Sequence, residues 1–247
     1  MIKPIKDLGQ NFLRNEKTIS KFVEEIDTQK GDLVYEIGPG EGVLTKKILN
    51  NKNEFNLISI DIDERSILEL SKIQDERFKL VHKDILKFIP EINEINYKIV
   101  GAIPYNITSP IIHKIIEKSN LPKMIVLIVQ DEVAKKIIRE NKNSYFSFLI
   151  GYFYEMEYVQ KISRDDFFPV PRVDSGLIKF KIKNEFDEIN RIKYSNFLHK
   201  VFRSPRKKIN KVFDKNILDN AGISSDLRPE DLNLEQIIKL YKLENKI

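Results

Sequence analysis

Apolar and polar positions change their period several times along the chain. Short β-branched runs occur at 32–37 (DLVYEI), 56–61 (NLISID), 79–82 (KLVH), 97–101 (YKIVG) and 123–130 (KMIVLIVQ). Each predicts a strand. Between them, 43–51, 64–72, 109–119 and 131–140 repeat apolar residues at helical spacing. Strands alternating with helices predict a parallel sheet covered on both faces. The texture then shifts. Segments 145–162 and 175–183 read as strands, with only SRDDFFPVPRVD between them. They predict a terminal antiparallel pair, for a mixed sheet of seven strands, with the aromatics of 145–158 and Phe168 in the core. From 184 onward the pattern is helical and polar, which predicts a small all-α domain. The expected division is an α/β domain over 1–183 and a helical domain over 184–247.

Composition narrows the chemistry. The 247 residues are 41% hydrophobic, enough for a sizeable core, and 32% charged with a net charge of +5. That balance leans weakly toward a polyanionic partner. There is no cysteine, which excludes disulfides, thiolate nucleophiles and cysteine metal sites. His82, His113 and His199 lie far apart and lack metal-ligand spacing. His113 falls on an apolar helical face and reads as a packed residue. The opening MIKPIKDLGQNF has no apolar leader, and no run approaches a membrane span. The expectation is a soluble, cytoplasmic protein.

The segment YEIGPGEGVLT places Gly38, Gly40 and Gly42 after a strand and before a helix. Glycines there let backbone approach a ligand and leave helix N-terminal N–H groups free. The dinucleotide fingerprint would need glycine at 43, where Val43 stands, so a nicotinamide or flavin is disfavoured. Asp61 closes the next strand, where an acid can accept both hydroxyls of a ribose. Asp84 closes the third and can accept from an exocyclic adenine amine. Each also has a plainer reading: a tight turn followed by a solvated acid, or an N-cap. Taken together, the three positions fit a nucleoside with a polar tail and no phosphate, as in S-adenosylmethionine.

The motifs LGQNFL (8–13), EIGPGEGVLT (36–45), IDID (60–63), KDIL (83–86), IPYNITSP (103–110), VQDEVAKK (129–136) and FFPVPRVDS (167–175) follow in one order. By these motifs, which span nearly the whole chain, it resembles the rRNA adenine-N6 dimethyltransferases, and among them the small-subunit 16S type. The related 23S macrolide-resistance enzymes share the core but usually differ at LGQNFL, VQDEVA and RVDS. The resemblance implies a Rossmann-like class I methyltransferase domain and a small helical C-terminal domain. It implies S-adenosylmethionine as cofactor, and as substrate two adjacent adenosines near the 3′ end of 16S rRNA in an immature small subunit. A monomer and no membrane contact are expected. By the same resemblance Asn11, Leu13 and Glu36 lie beside the methionine end of the cofactor, and Gly38 and Gly40 beneath it. Asp61 takes the ribose, Asp84 the adenine amine. Tyr105 and Phe167 sandwich the target base, and Pro104 shapes the turn between the two sites.

One position departs from the pattern. Where the family carries asparagine before Leu/Ile-Pro-Tyr, this chain has Ala102, between an intact Gly101 and Ile103. The asparagine would contact cofactor and target and accept from the adenine amine. Its loss implies binding with reduced turnover, and it leaves open a non-catalytic ribosome-assembly or RNA-binding factor on the same fold. A 23S methyltransferase is the other alternative. Downstream, HKVFRSPRKKINK (199–211) carries Lys200, Arg203, Arg206, Lys207, Lys208 and Lys211 with no acid between them. The patch reads as an RNA phosphate contact, or more plainly as a solvated helix face.

Overall fold

The computed structural model describes residues 2–5, 8–138 and 142–246. In chain order the elements are β1 (Phe12–Leu13), α1 (Glu16–Ile26), β2 (Leu33–Ile37), α2 (Val43–Leu49), β3 (Asn56–Asp61), α3 (Glu64–Leu70), β4 (Phe78–His82), α4 (Ile85–Phe88) and β5 (Tyr97–Ala102). There follow α5 (Thr108–Ile116), β6 (Met124–Gln130), α6 (Asp131–Ile138), α7 (Tyr145–Gly151), β7 (Tyr154–Ile162), β8 (Phe167–Phe168), β9 (Ser175–Ile182), α8 (Arg191–Phe202), α9 (Lys215–Ala221) and α10 (Leu234–Asn245). The last two positions of the helix expected over 131–140 lie outside the described residues. No described helix is long and apolar enough to cross a membrane.

Seven strands form one sheet in the order β4-β3-β2-β5-β6-β9-β7. β2, β3, β4, β5 and β6 are parallel, and β9 runs antiparallel to β6. The five β-branched runs thus become the parallel core, and the two later segments extend it as expected. Alternation along the strands decides which face each residue serves. Val34, Leu57, Val100 and Val126 pack with Phe22 and Ile26 of α1 and Ile48 of α2. Tyr35, one residue from Val34, meets Phe88 of α4 (ring centroids 5.8 Å) on the opposite face. Strand order reverses between β2 and β5, so the loops after them diverge and leave a crevice at their carboxyl ends.

Beneath the other end of the sheet Asp32 joins Lys98 (2.7 Å) and Lys123. Lys98 also donates to the carbonyls of Ile26 (2.8 Å) and Asp27 (2.6 Å), which close α1. This triad, buried at Asp32 and Lys98 and half-buried at Lys123, ties three elements at the end away from the crevice.

Two expectations need correcting. Residues 145–151 are a helix, not the start of a strand. Ser144 caps it by accepting from the Ser147 N–H (3.1 Å), and Ser147 Oγ accepts from the Ser144 N–H (2.7 Å). Phe148, Leu149 and Ile150 are all buried, so no one-sided apolar stripe marks the segment as helical. The second unit also begins earlier than 184. One compact unit comprises Met1–Ala134 and Glu157–Ile182; the other comprises Lys135–Met156 and Lys183–Ile247. Within the latter, Tyr194 of α8 donates its hydroxyl to the Phe148 carbonyl of α7 (3.2 Å), and Lys183 N–H donates to the Phe153 carbonyl (2.9 Å). Its core is aromatic, with Tyr194 and Phe197 packed on Tyr241 at 5.3 and 5.5 Å between centroids.

Candidate active site

A cavity of about 280 Å³ opens at the carboxyl ends of β2, β3 and β5, bounded by Ile37, Ile60 and Ala102. Gly38, just past β2, has φ +62° and donates its N–H to the Ile60 carbonyl (2.9 Å). A Cβ built there meets nothing within 4 Å, so the absent side chain leaves open space in the cavity wall. Gly101 serves closeness instead: a Cβ there would stand 2.6 Å from the Ile37 carbonyl oxygen. Only glycine lets β5 approach the end of β2 this closely.

Asp61, the last residue of β3, is buried with both oxygens engaged. Oδ1 accepts from the Asp63 N–H (2.9 Å) and Oδ2 from the Gly40 N–H (3.2 Å). Burial pushes its carboxyl above the ordinary range, against the lowering effect of those two N–H donors. The acid therefore also clamps the glycine loop in position. Asp84 lines the same cavity half-buried, and its Oδ1 accepts from the Leu86 N–H (2.9 Å). It is the N-cap of α4 as well as a wall residue, so its two readings hold together rather than compete.

The N-terminal motif closes the cavity from above. Gln10, Asn11 and Phe12 line it. Gln10 Nε2 donates to Asp63 Oδ2 (2.7 Å), and Gln10 Oε1 accepts from Arg65 (3.3 Å). The Arg65 guanidinium beside Asp63 holds that carboxyl down to about 2. Asp63, the N-cap of α3, is thus also the anchor of this segment.

Past β5, Pro104 leads into a 3-10 turn that carries Tyr105 and Asn106 to the cavity. The Tyr105 and Ser175 hydroxyls are 2.6 Å apart. Burial pushes the Tyr105 phenol up, so it stays neutral. Phe167 arrives from the two-stranded β1–β8 ribbon, opposite Leu13, and lines the same cavity. Ala102 presents a methyl group to the wall.

Of the residues anticipated from the sequence, Asn11, Gly38, Gly40, Asp61, Asp84, Ala102, Pro104, Tyr105 and Phe167 all line this one cavity. Leu13 and Glu36 do not. Leu13 is packed in the core behind the ribbon. Glu36 is fully buried: its Oε2 accepts from Thr45 Oγ1 (2.7 Å) and Ser59 Oγ (2.6 Å), and its Oε1 has no partner. Burial raises its carboxyl to about 7, against the lowering effect of Ser59 and Thr45. Phe168, expected in the core, is 48% exposed. Ile62, Leu86 and Gln10 line the cavity without having been anticipated. Ile62 directly follows Asp61, and an apolar residue between the two acids of IDID was the available signal. In the second unit Arg203, Arg206, Lys207, Lys208 and Lys211 are exposed. Lys208 pairs with Asp226 (2.6 Å).

The sequence model described as ribosomal RNA adenine dimethylase matches residues 2–246. A ribosomal RNA small subunit methyltransferase A of Sulfurihydrogenibium sp. is 36% identical over 247 residues, covering 97% of this chain and 96% of the relative. The protein of the same name in Mycoplasma mobile is 36% identical over 253 residues, covering 96% and 97%. Among solved structures, a dimethyladenosine transferase from Plasmodium falciparum superposes with TM-score 0.85 at 25% identity, covering 95% of this chain and 98% of that one. The 23S rRNA methyltransferase ErmE superposes with TM-score 0.75 at 26% identity, covering 95% and 100%.

Proposed function

The chain belongs to the ribosomal RNA adenine dimethylase family, and on that premise we propose that its cavity transfers methyl groups from S-adenosylmethionine to N6 of adenines in 16S rRNA of an immature small subunit. One observation carries the assignment of roles. Tyr105 and Phe167, the aromatics for a base, share a single cavity with Gly38, Asp61 and Asp84, the set for a nucleoside cofactor.

The residues present suit that cofactor. The open space beside Gly38 admits a substituent that any side chain would block, Asp61 and Asp84 supply acceptors, and Ile62 and Leu86 supply apolar wall for a flat ring. Bound, it supplies an electrophilic methyl on a cationic sulfur. Everything else falls to the protein. The N6 lone pair of adenine is delocalised into the ring and is a poor nucleophile, so orientation has to supply much of the rate. The base must leave its stack, and Tyr105 and Phe167 replace the lost contacts at roughly 1–3 kcal/mol per stacked face. Pro104 fixes the backbone between strand and turn. Acceptors around 102–104 hold the amine protons and stabilise the positive charge developing on nitrogen. With a methyl at 102 that set lacks its side-chain member, which slows transfer without emptying the site. In the second unit Arg203, Arg206, Lys207, Lys208 and Lys211 contact rRNA phosphates.

The test is transfer of tritiated methyl from S-adenosylmethionine to immature small subunits, with the product nucleoside identified by mass spectrometry. N6-methylated adenine in 16S rRNA supports the reading. Unlabelled small subunits together with labelling of 23S rRNA offered in a parallel reaction sink it.

A further inference from the structure

Phe168 neighbours Phe167 in β8 but faces solvent. It is 48% exposed, and Val170 and Val173 in the loop beyond are 56% and 44% exposed. Three large apolar side chains exposed within one short stretch of chain, next to a residue that lines the cavity, call for a function.

The ribbon that carries Phe168 is held rigidly. The backbone carbonyl of Asp166 accepts from the Arg14 N–H (2.7 Å). Its carboxylate accepts from Asn15 Nδ2 (2.9 Å) and Thr18 Oγ1 (3.0 Å), at the start of α1. Pro169 and Pro171 stiffen the chain immediately after β8. Phe168 is registered opposite Phe12, and directly opposed residues share a face of a β-ribbon. Phe12 lines the cavity. The Arg14 guanidinium lies 5.8 Å from the Phe12 centroid and 6.0 Å from the Phe168 centroid. The exposed ring is therefore joined to the cavity across the ribbon by Phe12, while Phe167, next in the chain, points to the ribbon's other face.

We propose that Phe168, with Arg14 against its ring, is the stacking platform for the nucleotide flanking the target adenine in the RNA strand. The proposal rests on the reading of the cavity given above. Extracting a base leaves its neighbour with one bare face. An exposed, rigid aromatic ring continuous with the base pocket offers that face a new partner, and aromatic stacking accepts any base. Arg14 adds a planar cation of the kind that stacks on rings, and exposed Arg172 lies on the same loop within reach of the backbone. Preorganisation by Asp166 and the prolines keeps the ordering cost low.

The experiment uses the full chain and immature small subunits whose 16S rRNA carries 2-aminopurine, either at the target adenine or at one of its two neighbours. In the parent protein both placements should change fluorescence on binding. Phe168→Ala should abolish the change at the flanking position and weaken subunit binding by about 5- to 100-fold. It should leave the target-position signal and the cofactor Kd unaltered, and Phe168→Trp should restore the flanking signal. An unchanged flanking signal in Phe168→Ala overturns the proposal. So does weaker binding with that signal intact, which would make the patch a contact for a ribosomal protein. A silent target position with a flanking signal that depends on Phe168 refutes the cavity reading and leaves the platform standing. Absence of any subunit binding overturns both.

Discussion

Tyr105, in the turn after β5, and Ser175, the first residue of β9, touch through their hydroxyls at 2.6 Å, although their strands lie on opposite sides of β6. Ser175 is fully buried, so this contact sets the position of the Tyr105 ring in the cavity wall. Ser175→Ala should leave cofactor affinity intact and lower methyl transfer several-fold. Tyr105→Phe, which keeps the ring, should match it closely. A double variant no worse than either single one would show that both act through one hydrogen bond; independent, additive losses would refute that.

Ala102→Asn supplies the side-chain acceptor that the motif resemblance implies at this position. A missing preorganised polar contact of this kind typically costs about 10²–10³ in turnover. Single-turnover methyl transfer by Ala102→Asn should exceed that of the parent chain by a comparable factor, with the cofactor Kd little changed. Equal rates would show that other acceptors already fill the role.

Asp61→Ala removes the acid and releases the Gly40 and Asp63 N–H groups together. Cofactor affinity measured by calorimetry should fall at least about tenfold, the effect of losing one hydrogen bond to a charged group. Asp61→Asn keeps one acceptor oxygen and should lose less. Unaltered binding in Asp61→Ala would remove this residue from the cofactor site.

Glu36 couples folding to pH. Its carboxyl is raised by burial from 4.5 to about 7 in the folded protein. The folded state holds a proton that the unfolded chain has already released, so stability declines as pH rises through this window. The loss is on the order of 3 kcal/mol between the two values. Glu36→Gln mimics the protonated form and should flatten this decline in urea titrations across the same range. A slope unchanged from the parent would assign the dependence to other groups.

Removing Asp32 strands the Lys98 ammonium, whose side chain is only 3% exposed. Burial acts to raise the Asp32 carboxyl, but Lys123 and Lys98 hold it down, so the group is ionised. Breaking such a buried pair typically costs about 3–5 kcal/mol. Asp32→Ala should lower the urea midpoint accordingly, and Lys98→Met should cost less because no charge remains uncompensated at that position.

The features legible in the sequence were those written in local backbone chemistry. The β-branched runs predicted five parallel strands because a strand buried on both faces must be apolar almost continuously. The glycine loop and Asp61 were legible because both sit at strand ends, where residue type answers directly to backbone geometry.

Tertiary structure decided what depends on meetings between distant segments. Residues 145–151 became a helix because their surroundings bury every side of them, which erases the periodicity a helix normally shows. Glu36 and Leu13 moved behind the wall, and Ile62, Gln10 and Leu86 came onto it, because strand order and crossover place side chains in a cavity irrespective of their spacing along the chain. Phe168 is exposed and Phe167 buried because adjacent residues of the ribbon point to opposite faces, and no property of a Phe-Phe dipeptide distinguishes the two rings. Local preferences are set within a few residues. The composition of a pocket is set by which elements pack side by side, and only the folded chain holds that information.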